Sequence, residues 1–157
     1  MADLSTDSLG RLLGVLASRP GALPKYRYAS AGTLYPVQAY LSLPAPGVDG
    51  LPPGCHYHDP EAHALAPVSG HPAGDVPLLL LVARMAAIEP VYGALSEDFC
   101  MLEAGYMTAA LEDAAAEAGL ALEDAGDPAA WDRGALDAAL ALDATQAPLL
   151  ALRISAR

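Results

Sequence analysis

Leucines near the N-terminus recur with the spacing of one helical face. They lie at i, i+3, i+4 and i+7 of one another: Leu9, Leu12, Leu13 and Leu16. This period predicts an amphipathic helix, for which Asp7 or Ser8 is available as the N-cap. The helix is expected to end before Pro20, and the segment 22–36 contains enough Pro and Gly to predict a shaped loop.

Three further segments have strand patterns. Apolar and polar residues alternate over 37–43, which predicts a strand with one apolar face. Residues 55–58 and 63–66 flank the turn sequence 59–62, Asp-Pro-Glu-Ala, and this arrangement predicts a hairpin. An unbroken apolar run over 77–85 predicts a strand that is covered on both faces.

The second half of the chain alternates between helices and strands. Ser96 is predicted to cap a long helix that begins with Glu97 and Asp98 and ends at Gly119. Its apolar face is expected to comprise four residues: Phe99, Leu102, Tyr106 and Ala110.

A second helix is predicted after the cap signature Asp127-Pro128. Its expected inward residues are Trp131, Leu136 and Leu140. A short strand should precede this helix, and the apolar segment 148–154 should close the chain as another strand. The whole order of elements favours an α+β fold over regular βαβ repeats.

The composition restricts the classes of partner. The chain has 157 residues, which fits one domain, and its formal net charge of −11 disfavours nucleic acid and anionic membrane surfaces. The longest apolar run is too short to span a bilayer and contains Arg84. Asp3 and Asp7 replace the basic start of a secretory signal, and Cys55 and Cys100 lack the spacing of a zinc site, so a cytoplasmic protein is expected.

Several sequence blocks identify a family resemblance. Residues 25–43 (KYRYASAGTLYPVQAYLSL), the hairpin 54–65, and the segments 87–93 (AIEPVYG) and 98–107 (DFCMLEAGYM) occur in one order. Together they resemble the FMN-dependent thiazoline oxidase domains of nonribosomal peptide and polyketide synthetases, which belong to the nitroreductase superfamily. The resemblance implies a nitroreductase-like α+β fold in which helices flank a mixed or antiparallel central sheet.

The resemblance also implies which residues form a site. Lys25 and Tyr26 are the candidates for a catalytic base. If a flavin binds, its contacts are expected from the small-residue loop and its surroundings: Arg27, Ser30, Ala31, Gly32, Leu34 and Tyr35. Substrate contacts are expected from Tyr92, Glu103 and Tyr106. The alternative reading of the tyrosines is that they are ordinary half-buried residues.

The chain departs from the family pattern in two places. Relatives begin with an Arg-Ser-Arg-Phe type segment that holds the FMN phosphate, and this sequence starts after that segment. Relatives also follow the long helix with a Cys-Pro-x-Gly-Gly type turn, where this chain has the acidic stretch 120–127. Carboxylates near a phosphate-bearing cofactor would oppose it, so weak or absent flavin binding is expected.

Other chemistries have less support in the sequence. His56, His58 and His63 lie close together on the predicted hairpin and are candidate metal ligands, but surface histidines on a hairpin are most simply solvated, and no metal is expected. The sequence lacks a nucleophile elbow around Ser30, and it also lacks a phosphate-binding loop. Hydrolysis and nucleotide chemistry are therefore excluded.

The sequence thus predicts one shortened nitroreductase-like domain over 1–157. The preferred function is non-redox: a structural, carrier-protein-binding or intermediate-binding role in nonribosomal peptide or polyketide biosynthesis, with no cofactor. The alternative is an active FMN-dependent oxidase that dehydrogenates a thiazoline or oxazoline ring. Assembly-line domains or a carrier protein are the expected partners, and a homodimer is plausible from the family pattern.

Overall fold

The computed structural model describes residues 4–23 and 25–157. Asp3 of the N-terminal region and Pro24 of the predicted loop lie outside the described residues. The helices are α1 (Thr6–Leu13), α2 (Glu89–Tyr92), α3 (Ser96–Glu117) and α4 (Arg133–Leu140). The strands are β1 (Val37–Leu43), β2 (Gly54–Asp59), β3 (Ala64–Ser69), β4 (Leu78–Arg84), β5 (Leu120–Asp124) and β6 (Gln146–Ala156).

The strands form one six-stranded sheet in the order β3-β2-β1-β4-β6-β5, and each neighbouring pair is antiparallel. Both faces of this sheet are covered. One face packs against α1 and α3, and the other packs against α4. The predicted α+β class with a helix-flanked central sheet is confirmed.

The first helix begins slightly earlier than the sequence predicted. Ser5 is the N-cap, in place of the predicted Asp7 or Ser8, and its side chain accepts a hydrogen bond from the Ser8 N–H. The Ser8 hydroxyl in turn accepts from the Ser5 N–H, which completes a reciprocal capping box. The predicted leucines are buried, with Leu16 in a 3₁₀ turn that extends the helix.

The strand predictions are confirmed with small differences at the ends. The bounds of β1 agree with the predicted strand over 37–43. In the hairpin turn, Oδ1 of Asp59 accepts hydrogen bonds from the Glu61 and Ala62 backbone N–H groups. This side chain therefore stabilises the turn, as aspartate commonly does at this position. The leucines of β4 are buried on both faces, as expected for a central strand.

The prediction for α3 is wrong about which face is buried. Leu102 and Tyr106 are 55% and 52% exposed, and Ala110 is only partly buried. The buried face comprises Ser96, Cys100, Glu103, Ala104, Met107, Leu111, Ala114 and Ala115. Most residues of this face are small, which lets α3 pack closely on the sheet, and Met107 and Leu111 supply its larger apolar side chains. The predicted cap is also wrong, because Leu95 occupies the N-cap position and the buried Ser96 hydroxyl makes no cap bond.

The last helix begins later than predicted. Asp127 and Pro128 start only a 3₁₀ turn, Pro128–Ala130, in which the Asp127 side chain accepts from the Ala129 N–H. A second aspartate, Asp132, caps α4 through the Ala135 N–H. The strand predicted over 148–154 is the inner part of the longer β6. Within the described residues, no helix has the length and apolar character needed to cross a membrane.

Candidate functional site

A cleft of about 500 Å³ opens at the end of the sheet where β1 begins and β2 ends. The preceding loop supplies Tyr26, Tyr28 and Leu34, while the sheet supplies Val37 and Ala39 as the floor. The remaining lining residues include Tyr35, Gln38, Tyr57, His58, Asp59, Glu61, Arg84 and Met107. The cleft is therefore a site between a loop and a sheet, with a largely aromatic rim.

Three tyrosines of the loop form one aromatic cluster. The ring centroids of Tyr26 and Tyr35 are 4.0 Å apart, and Tyr28 lies 5.5 Å from Tyr26 and 5.8 Å from Tyr35. Burial raises the pKa of Tyr26 and of Tyr28, and neighbouring carboxylates (Glu61 and Glu103, respectively) raise them further. Both phenols therefore stay protonated near neutral pH and can donate hydrogen bonds to a ligand.

The small-residue loop predicted from the sequence is a single 3₁₀ turn, Ala31–Thr33. Gly32 has φ of +60°, and a Cβ at this position would lie 2.9 Å from the Tyr92 hydroxyl. The turn is fixed by the Ser30 hydroxyl, which accepts a hydrogen bond of 2.9 Å from the Tyr35 N–H. Glycine is required here both for the backbone angle and for the close approach of Tyr92.

Glu103 lies behind the cleft floor, with a side chain only 1% exposed. Its Oε1 accepts a hydrogen bond of 3.2 Å from the Val37 N–H, and its Oε2 has no partner among the described residues. Burial raises the pKa of Glu103 to about 7, although the Ser30 hydroxyl and the Val37 N–H act in the opposite direction. The carboxyl is consequently able to hold or accept a proton near neutral pH.

The hairpin histidines form a pair. His58 Nε2 lies 3.1 Å from His63 Nδ1, and burial lowers the pKa of His58 to about 4, with the charge of His63 acting in the same direction. The pair forms although His58 is opposite Leu65 in the strand register; His63 lies in the turn before β3 and has a positive φ of 47°. No group of three or more metal-ligating side chains occurs within the described ranges.

Some of the remaining predicted site residues lie at or near the cleft, and others are exposed and do not line it. Tyr26 lines the cleft, and Tyr92 touches the Gly32 turn. Lys25 and Arg27 are exposed on the same loop, where the Lys25 carbonyl accepts from the Arg19 N–H at 2.6 Å. Tyr106 is exposed on α3, whereas Glu103 is buried, so the structure separates these two residues.

Several lining residues were not predicted from the sequence. Tyr57, Arg84 and Gln38 reach the cleft because β2 and β4 pair with the two edges of β1. Their positions follow from strand order, which the sequence pattern does not contain. The one feature of the sequence that pointed to a lining residue was Arg84, a charged residue at the end of a buried apolar run.

The cleft suits a planar ring better than a phosphate group. The four tyrosines in its lining provide aromatic surfaces for contact with a flat ligand. Its charged lining residues are Asp59, Glu61 and Arg84, so negative charge exceeds positive charge. These residues do not fit the dianionic phosphate of FMN.

The acidic stretch 120–127 does not add to the excess of negative charge in this cleft. Most of it forms β5, at the opposite edge of the sheet from the β2–β3 hairpin. Glu123 there lies 3.6 Å from Arg153. The sequence predicts that these carboxylates lie next to a flavin. The position of β5, away from this cleft, does not support that expectation.

Comparison with known proteins identifies related sequences, although no model of a known protein family matches the chain. It is 36% identical over 137 residues to indigoidine synthase of Streptomyces lavendulae and 39% identical over 114 residues to indigoidine synthase of Dickeya dadantii (strain 3937). These matches cover 83% and 69% of this chain, but only 10% and 8% of the two synthases. The chain thus spans about a tenth of the length of these relatives.

Solved structures with the same fold confirm the architecture. The McbBCD microcin synthetase complex of E. coli contains a chain that superposes with a TM-score of 0.81 at 20% identity, over 99% of this chain and 65% of that one. A protein assigned as a nitroreductase from Ralstonia eutropha JMP134 gives a TM-score of 0.81 at 21% identity, over 99% and 75% of the two chains. A similar protein from Anabaena variabilis gives 0.78 at 19% identity, over 96% and 34%.

Proposed function

The chain has the fold of the nitroreductase superfamily, and on this premise we propose that it is an oxidase-fold domain of nonribosomal peptide or polyketide biosynthesis. Its cleft binds a planar intermediate and does not use flavin redox chemistry. The relation to indigoidine synthase supports the biosynthetic context. A cytoplasmic location and assembly-line partners belong to the same proposal.

The observation that carries this proposal is the charge of the cleft. Its aromatic rim favours a flat ring, whereas Asp59 and Glu61 outnumber Arg84 among its charged lining residues. A neutral heterocycle meets no electrostatic penalty in such a site, but a dianionic phosphate ester does. The fold therefore remains suited to ligand binding while the fit to FMN is poor.

The side chains of the cleft have defined roles in this proposal. Tyr26 and Tyr35 stack on the ring, and the protonated phenol of Tyr28 donates a hydrogen bond to a ring nitrogen or carbonyl. Glu103 orders the floor through the Val37 N–H and exchanges a proton near neutral pH.

A carrier protein is the partner that fits the loop at the mouth of the cleft. Lys25 and Arg27 are exposed on either side of Tyr26 in the sequence, and Arg19 is joined to Lys25 by a backbone hydrogen bond. Three cations in this position suit the phosphate of a phosphopantetheine arm, whose long pantetheine chain can reach from the mouth to the tyrosines. The ribityl chain of FMN is much shorter, so in this proposal a flavin ring in the cleft would hold its phosphate near Asp59 and Glu61 and not at the mouth. In this arrangement the phosphate stays at the mouth and the ring enters the cleft.

Flavin titration tests the first part of the proposal. The purified chain should be colourless, and quenching of FMN fluorescence should give a Kd above about 100 μM, because no cation cluster in the cleft holds the phosphate. Riboflavin, which lacks the phosphate, is the matched ligand and should bind no more weakly than FMN. Tight FMN binding with a clear preference over riboflavin would contradict the proposal.

A carrier protein loaded with a thiazoline-bearing substrate tests the second part. Its addition should shift backbone NMR signals over 25–40, and the unloaded carrier should shift fewer of them. The variant Lys25→Ala/Arg27→Ala should weaken this interaction without changing FMN binding. Shifts confined to residues far from the cleft would exclude the carrier-binding role.

An active FMN-dependent oxidase of thiazoline or oxazoline rings is the second candidate. The Gly32 turn favours it, because this turn directly precedes the cleft residue Leu34 and its small residues permit a close backbone approach to a flat ring. The titration above separates the two candidates. In the oxidase case, Gly32→Ala should abolish tight FMN binding, whereas Gly105→Ala should not.

A further inference from the structure

A second cleft, of about 550 Å³, opens on the other face of the sheet, next to α4. Tyr40 of β1 and Tyr57 of β2 are cross-strand neighbours and form its floor, with ring centroids 5.5 Å apart. Val68 of β3 and Leu140 at the end of α4 add apolar walls. Because α4 has only eight residues, it covers part of this face and leaves the cleft open.

One polar wall of the second cleft is held rigidly by Gln146. This side chain is largely buried, and its Nε2 donates hydrogen bonds of 3.0 Å to Gln38 Oε1 and 3.2 Å to the Tyr40 hydroxyl. Its Oε1 accepts a hydrogen bond of 3.1 Å from the Asp143 N–H. Since the Tyr40 hydroxyl accepts from Gln146, its own proton remains available for a ligand. A wall fixed in this way needs little reorganisation on binding.

Two opposite charges stand on the rim of this cleft without pairing to each other. Arg84 and Asp143 both line it, and neither forms an ion pair within 4.0 Å among the described residues. They are nevertheless close enough to interact. The pKa of Asp143 is lowered mainly by hydrogen bonds from Thr145 and, to a smaller extent, by the charge of Arg84. Because both residues line one cleft and do not form an ion pair with each other, the space between them can hold a ligand that carries both signs.

We propose that the second cleft binds a free α-amino acid. The carboxylate lies against Arg84 and the Tyr40 hydroxyl, the ammonium group lies against Asp143, and an apolar side chain packs on Val68 and Leu140. An anion would be attracted by Arg84 but repelled by Asp143. A cation would be attracted by Asp143 but repelled by Arg84. A zwitterion satisfies both charges at once.

NMR titration with three matched compounds tests this site. L-norleucine carries both charges, hexanoate carries only the carboxylate, and pentylamine carries only the ammonium group. Norleucine should shift the backbone signals of Tyr40, Val68, Leu140 and Gln146 and should bind at least about tenfold more tightly than either singly charged compound. No shift at these residues up to saturating amino acid, or equal binding of hexanoate, overturns the proposal.

A variant pair separates charge recognition from a change in the fold. Asp143→Asn should weaken norleucine binding by about tenfold and leave hexanoate binding equal or slightly stronger, because one repulsive charge is lost. Asp124→Asn is the matched control, since Asp124 also stabilises an exposed turn, through the Gly126 N–H, but lies outside this cleft. Equal effects of the two variants on norleucine binding would refute the role of Asp143. Gln38, Tyr57 and Arg84 line both clefts, so norleucine titrations should be repeated with the planar ligand present.

Discussion

The Val37 backbone N–H donates a hydrogen bond of 3.2 Å to Oε1 of Glu103, and this bond joins the first residue of β1 to the middle of α3. The other carboxyl oxygen is buried without a partner among the described residues. Desolvation of the charged carboxylate outweighs the opposing effects of the Ser30 hydroxyl and the Val37 N–H, so the neutral acid is favoured and the pKa rises to about 7. Glu103 therefore couples the packing of the long helix to the protonation of the site.

The substitution Glu103→Gln should change the pH dependence of stability. Because the folded-state pKa of about 7 lies above the ordinary value of 4.5, the stabilising contribution is fully present below pH 4.5 and is lost as the pH rises to about 7. Glutamine does not titrate, so the variant does not lose this contribution as the pH rises. The difference in the free energy of unfolding, variant minus unsubstituted protein, should therefore increase by about 3 kcal/mol from acid to neutral pH. Urea unfolding across this pH range measures the difference.

The difference between the two proteins isolates Glu103 from all other titrating groups. Glu117→Gln serves as a control for the loss of one carboxylate from the same helix. If the curves for Glu103→Gln and the unsubstituted protein run parallel from acid to neutral pH, the pKa of Glu103 is the same in the folded and unfolded states, and its role as a proton acceptor near neutral pH is wrong.

A second titration of the opposite sign is expected from His58. Its folded-state pKa of about 4 lies below the ordinary value of 6.5, so the associated stability is present above pH 6.5 and is lost as the pH falls to about 4. His58→Gln should remove up to about 3 kcal/mol of this acid-induced loss, although it also loses the contact with His63. Thermal unfolding between these pH values measures the slope, and His71→Gln is the exposed control. An unchanged slope in His58→Gln would show that His58 is solvated in the folded protein.

Local patterns predicted most of the elements but not the orientation of α3. The alternation in 37–43 matched β1, because a strand with an apolar face has one stable register. In α3, apolar residues occur on both sides, so periodicity does not distinguish the face with Glu103 and Met107 from the face with Leu102 and Tyr106. Burial of a glutamate depends on a partner N–H from Val37, which lies far away in the sequence.

The site was predictable to a similar extent. Tyr26, Tyr28 and Tyr35 are close in the sequence, and their clustering was visible as a local enrichment. Tyr57 and Arg84 join them only through the pairing of strands, which is a property of the whole sheet. The second cleft was not predictable for the same reason, since its lining comes from five different strands, the end of α4 and the segment that follows it.

The Gly32 turn should tolerate no side chain. Gly32→Ala forces a residue with a Cβ into a φ of +60° and places that Cβ 2.9 Å from the Tyr92 hydroxyl, so a loss of about 1–2 kcal/mol is expected. Gly105→Ala is the matched control. Nothing lies within 4 Å of its Cβ in the helix, and it should stabilise by about 0.5–1 kcal/mol. Adding Tyr92→Phe to Gly32→Ala should recover only the part of the loss that is due to the clash. Complete recovery would mean that the backbone angle imposes no strain.

The exposed apolar face of α3 should mediate self-association. Leu102 and Tyr106 are each more than half exposed, and the one charged residue between Asp98 and Glu112 is the buried Glu103. In a chain with a net charge of −11, an uncharged face is where two copies approach with the least repulsion, so a homodimer is expected at micromolar concentration.

Leu102→Glu should weaken the dimer by about tenfold or more, because burial of an unpaired charge is costly. Ala138→Glu adds the same charge to an exposed position of α4 and should have no effect. Sedimentation analysis measures both. A monomer at all concentrations in the unsubstituted protein, or equal association of the two variants, would exclude this face as the interface.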